Sequence, residues 1–81
     1  MRSHKSQESS LSHIATLALA RIKASPHPAI RHVLCEYVDG MLVLRGQLRT
    51  FFHKQVAQEA VADIDGIRQV QNHIEVVGYP W

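Results

Sequence analysis

The sequence predicts an α+β domain with the order helix, strand, strand, helix, strand. Three observations carry that prediction. Apolar residues alternate through Val33, Cys35 and Tyr37 and again through Leu42, Leu44 and Leu48, the two-residue period of a half-buried strand. Asp39-Gly40 separates the two runs and is a strong hairpin signal, because a type I′ turn needs positive φ. The spacing then changes to three and four through Ala57, Ala60, Val61 and Ile64, and returns to two through Val70, Ile74 and Val76.

Each element follows from local chemistry. Ser10 is a fair N-cap for a first helix from Leu11 to about Ala24, whose apolar stripe is Leu11, Ile14, Ala15, Ala18 and Ile22. Leu17 and Leu19 lie on opposite flanks of that stripe. Pro26 disfavours helix at Ser25, so Ser25-Pro26-His27-Pro28 reads as a stiff connector. The first strand is expected from about Arg31 to Val38, and the second from about Met41 to Leu48. Gly46 interrupts the second, which points to a bulge or a close backbone approach. Thr50 caps a second helix, about Phe51 to Asp63, with His53 where a capping box would place Glu or Gln. Asp65-Gly66 ends it, and a third strand follows from about Arg68 to Val77.

Alternation assigns the sheet faces. Val33, Cys35, Tyr37, Leu42, Leu44, Leu48, Val70, Ile74 and Val76 face the helices. Leu34, Glu36, Val38, Met41, Val43, Arg45, Gln47, Gln71, His73 and Glu75 face the other way. Two helices cover one face of a three-stranded sheet, not both. Leu34, Val38, Met41 and Val43 are therefore expected as apolar residues on an open surface.

Size and composition exclude several classes. A chain of 81 residues makes one small domain and buries only ~60% of its unfolded surface. The single cysteine, Cys35, excludes an internal disulfide framework and a Cys-based zinc site. A net charge of +2 falls short of the dense basic stripe that announces nucleic acid. Residues 1–10 contain no apolar signal region, and the run Ile14 to Ile22 is too short to span a bilayer. The expectation is a cytoplasmic protein, with peripheral association to the envelope as a further possibility.

The pattern Gly40-x-Leu42-x-Leu44-x-Gly46-x-Leu48, then Ala57-x-x-Ala60-Val61-x-x-Ile64-x-Gly66-Ile67-x-x-Val70-x-Asn72-x-Ile74-x-Val76, resembles the BON domain. That family is named for an osmotically induced periplasmic protein and for nodulation proteins. The resemblance covers roughly residues 11 to 77. It implies an α-β-β-α-β fold with two helices packed on one face of a three-stranded mixed sheet. It also implies a non-enzymatic module tied to phospholipid or envelope binding, and in some members to other macromolecules. The expected organisation is a disordered tail over residues 1–9, a single domain over 10–77 and a C-terminal tail over 78–81.

The residues that could carry function fall into two sets. The first is Arg49, Thr50, Phe51, Phe52 and Lys54. Helical phase turns Phe51 and Phe52 away from the apolar side of the second helix, and neighbouring exposed aromatics are uncommon. Cations flank them, and first-turn N–H groups favour an anion, so the set suits a lipid phosphate with the rings wedged at the interface. The bland alternative has one ring folded over the sheet edge and the other on the first helix. The second set is the open sheet face, with Leu34, Val38, Met41, Val43, Arg45 and His73, suited to a protein partner or self-association.

Catalysis and metal binding find no support. None of the six histidines forms the spacing of a structural zinc site. His53 lies on the apolar side of its helix, which favours a partly buried, hydrogen-bonded imidazole. No nucleophile elbow or phosphate-cradling glycine loop is present, Cys35 points inward, and the carboxylates are scattered. Glu36, Arg45, His73 and Glu75 read as a solvated charge lattice. The expectation is no cofactor and no metal, with anionic phospholipid or a protein as partner. Nucleic acid trails both, since the nine Lys and Arg are spread over the whole chain and the phenylalanines sit on a helix rather than a stacking sheet.

Overall fold

The computed structural model describes the backbone of residues 2–78 and the side chains of residues 13–78. Its elements are α1 (Arg2–Lys23), a 3₁₀ turn (Pro28–Ile30), β1 (Leu34–Val38), β2 (Met41–Arg45), β3 (Gln47–Leu48), α2 (Phe51–Val61), β4 (Gln69–Asn72) and β5 (Glu75–Val76). The order is α-β-β-α-β, with each of the two later expected strands divided in two. The helix α1 begins before the expected Leu11, so Ser10 lies inside it rather than at its cap. Residues 2–9 of the expected tail fall within α1, and residue 1, like residues 79–81 of the expected C-terminal tail, lies outside the described residues.

Asp39 and Gly40 have φ of 51° and 82°, the paired positive values of a type I′ turn. The turn sets an antiparallel register in which Cys35 faces Leu44 and Tyr37 faces Leu42. β4 pairs in parallel with the other edge of β2, so the sheet is mixed, in the order β1-β2-β4.

The second strand breaks at Gly46, whose φ of 146° is a conformation side chains rarely adopt. Its neighbour breaks at the same level, after Asn72. Met41 lies opposite Gln69 in the first half and Gln47 opposite Glu75 in the second, the same separation along the chain. The two strands therefore bend together without slipping. Backbone N–H groups of His73, Glu75 and Val77 donate across the bend to the carbonyls of Leu44, Gly46 and Leu48 at 2.9, 2.9 and 2.7 Å. The Asn72 Oδ1 accepts from the Ile74 N–H at 3.2 Å and braces the second break.

Both helices lie over one face of the sheet. Ala18 and Ile22 of α1 and Ala57 and Val61 of α2 close over Leu42, Leu44, Leu48 and Ile74, all buried. Full burial of each large aliphatic chain stabilises by ~1.5–3 kcal/mol. Leu17 and Leu19 are both half-buried. Ile30 completes the core from the 3₁₀ turn, which ends just before Arg31, the expected start of the first strand. Val33 N–H donates to the Ile30 carbonyl at 3.0 Å, so pairing with β2 begins only at Leu34. Tyr37 Oη donates to the Gly66 carbonyl at 2.7 Å, pinning the turn that follows α2 to β1. Arg21 donates to Asp63 at 2.6 Å and ties the end of α1 to the end of α2. That hydrogen bond and the charge of Arg21 lower the Asp63 pKa. The link is present at neutral pH and is lost as pH falls through that lowered value.

Candidate functional site

The N-terminal end of α2 collects the first set of residues. Thr50 is the N-cap, in extended backbone, and its Oγ1 accepts from the His53 N–H at 3.1 Å. The His53 ring turns back so that Nδ1 lies 3.0 Å from the same hydroxyl. An imidazole thus occupies the place of the missing capping-box carboxylate, and His53 is half-buried as expected. The Thr50 hydroxyl is committed to the cap.

Ala57 and Val61 set the buried side of α2, which turns Phe51 and Phe52 outward. They are 74% and 61% exposed, so neither ring folds back over the sheet edge or onto α1. Phe52 stands edge-on to His27 and His53, with ring centroids 5.6 and 5.2 Å away, and the two imidazoles are 5.8 Å apart. His27 comes from the Pro-containing connector, where its N–H donates to Ser25 Oγ at 3.1 Å. Phe52 is therefore steadied by two neighbours. Arg49 is exposed immediately before the cap, and Lys54 is half-buried one turn after it.

Phe51 stands at one end of an open groove of about 420 Å³ that runs along α2. Lys54, Gln55, Gln58, Glu59 and Ala62 supply the rest of the helical wall, and Asn72 of β4 contributes from the sheet edge. Asn72 Nδ2 donates to the Lys54 carbonyl at 2.9 Å and to Gln58 Oε1 at 3.3 Å. One side chain thus braces the strand break and fixes α2 against the sheet.

The second set behaves differently. Leu34 and Val38 are 62% and 53% exposed on the edge strand β1. Val43 is only 8% exposed, and Met41 is half-buried, which corrects the expectation of an apolar sheet surface. The cause is the register. Val43 lies between Glu36 and Gln71 in neighbouring strands. Arg45 Nε donates to Glu36 at 2.9 Å, and Gln71 Nε2 to the Met41 sulfur at 3.3 Å. Arg45 and His73 remain exposed.

Sequence reasoning did not place His27, Gln58 or Glu59 at the site. His27 arrives through the tertiary fold from a connector 24 residues before Phe51, with no local periodicity to mark it. Asn72 carried a signal, since a polar residue interrupts the apolar alternation of the last strand.

The remaining chemistry is quiet. Burial pushes the Cys35 thiol up to about 11, so it is protonated at neutral pH and a poor nucleophile. Among the described residues, no group of three or more His, Cys, Asp or Glu could hold a metal ion. No curated protein matches the chain. Residues 10–78, which take in the later part of α1, all of α2, the bent strand pair and the capped tip, match the BON domain. By that match the chain belongs to the BON domain family, a family of binding-type modules rather than enzymes.

Proposed function

We propose that this protein is a non-enzymatic module that docks on anionic phospholipid surfaces through the N-terminal end of α2. The observation that carries the reading is the outward pair Phe51 and Phe52, 74% and 61% exposed beside Arg49 and Lys54. Each ring that enters the acyl boundary gains ~1.5–3 kcal/mol, while each nearby cation adds ~1 kcal/mol at an anionic surface. The positive end of the α2 dipole faces the same way. No helix among the described residues is long and apolar enough to cross a membrane. In this reading the protein is cytoplasmic and peripherally associated with the envelope.

Co-sedimentation with phosphatidylglycerol vesicles tests it. Replacing both rings, Phe51→Ser with Phe52→Ser, is expected to weaken binding on the order of 100-fold. Thermal unfolding should be little changed, because neither ring belongs to the core. Unchanged binding in the double variant would remove the proposal.

A second reading, a protein-interaction module using the open sheet face, is favoured by the exposure of Leu34 and Val38 on β1. The burial of Val43 shrinks that surface, which ranks it behind the first. Size-exclusion with light scattering separates self-association from a strict monomer.

A further inference from the structure

We propose that the α2 groove receives a phospholipid headgroup bearing a primary ammonium, such as phosphatidylethanolamine, within the docking just described, on which this inference rests. The order of chemical groups along the groove carries the inference. Phe51 stands at the tip, Lys54 follows about 4.5 Å along the axis, and Glu59 lies about 7.5 Å beyond Lys54. The sequence apolar, cation, anion matches the lipid read outward from the bilayer: acyl chain, phosphate, ammonium.

Lys54 and Glu59 are also about 140° apart around the helix, so they flank the floor of Phe51, Gln55, Gln58 and Ala62 from opposite sides. A headgroup crossing that floor meets opposite charges at its two ends. Gln55 Nε2 donates to Glu59 Oε2 at 3.3 Å, which steers the carboxylate while leaving Oε1 for a ligand. Asn72 holds Gln58 Oε1 and so fixes the edge of the floor.

The carboxylate decides the class of ligand. Glu59 repels a second phosphate, which disfavours a doubly anionic headgroup. It accepts charge-assisted hydrogen bonds from a primary ammonium. A choline carries the same charge but has no N–H to donate. The membrane, rather than a free headgroup, is the assigned source, because an exposed phenyl ring closes the Lys54 end of the groove.

The test holds the phosphatidylglycerol fraction of vesicles constant and makes the remainder either phosphatidylcholine or phosphatidylethanolamine. The native chain is expected to partition about three- to fivefold better onto the ethanolamine vesicles. Glu59→Gln, at an exposed position, is expected to fold normally by thermal unfolding and to erase that ratio. A ratio that survives in Glu59→Gln belongs to looser bilayer packing and overturns the inference. Equal binding of the native chain to both vesicles overturns it too, while leaving the docking reading intact. Failure to bind either vesicle overturns the docking reading itself and the inference with it. Soluble glycerophosphoethanolamine is expected to bind far more weakly than vesicles, and comparable affinity would overturn the membrane assignment.

Discussion

On the uncovered face of the sheet Val43 is 8% exposed, whereas at the start of α2 Phe51 is 74% exposed. Both are apolar residues outside the space between the helices and the sheet. The difference lies in their neighbours. β2 is the central strand, and β1 and β4 on either side place Glu36 and Gln71 beside Val43. The first turn of α2 meets β4 only through Asn72 on the Lys54 side, and the ring contacts of His27 and His53 engage Phe52 from the side. A polar lattice therefore screens one apolar surface while the other stays open to a partner. This contrast is why we propose the helix tip, rather than the sheet, as the binding surface.

The largest expected effect falls on the sheet side. Gly40→Val puts a β-branched residue at φ 82°, where its Cβ would lie 2.9 Å from Arg68 Nε. A cost of about 2–3 kcal/mol is expected, read as a lowered thermal midpoint. A near-neutral midpoint would contradict the hairpin register that places Val43 on the screened face. Next comes the screen itself. Val43→Ser is expected to cost about 2 kcal/mol in chemical denaturation, against at most ~0.5 kcal/mol for Leu34→Ser on the same face. Equal costs would break the distinction between screened and bare positions. A smaller effect than that of Val43→Ser falls at the tip, where Thr50→Ala should lose about 1 kcal/mol by removing the cap. Vesicle binding should persist in that variant, since the hydroxyl serves the helix.

The hairpin was fully legible in Asp39-Gly40, and the break of the second strand in Gly46, because positive φ has a residue signature. Outward Phe51 and Phe52 followed from helical phase alone. The break after Asn72 had no such signature, since it depends on a side-chain hydrogen bond to Ile74. Ile30 was assigned to no element, because a 3₁₀ turn of three residues has no period to detect. The burial of Val43 escaped because alternation reports which face a residue occupies, not whether polar arms from adjacent strands reach over it. The groove was hidden for a similar reason: its members lie on the exposed side of α2 and on a strand distant in sequence.

The synchronous bend of the two parallel strands couples their lengths. Deleting Gln47 alone would offset every later pair by one position and turn Leu48 out of the interior. Removing Glu75 as well would restore the alignment beyond the kink. Viable length variants of this fold should therefore come in matched pairs, one in each strand, rather than singly.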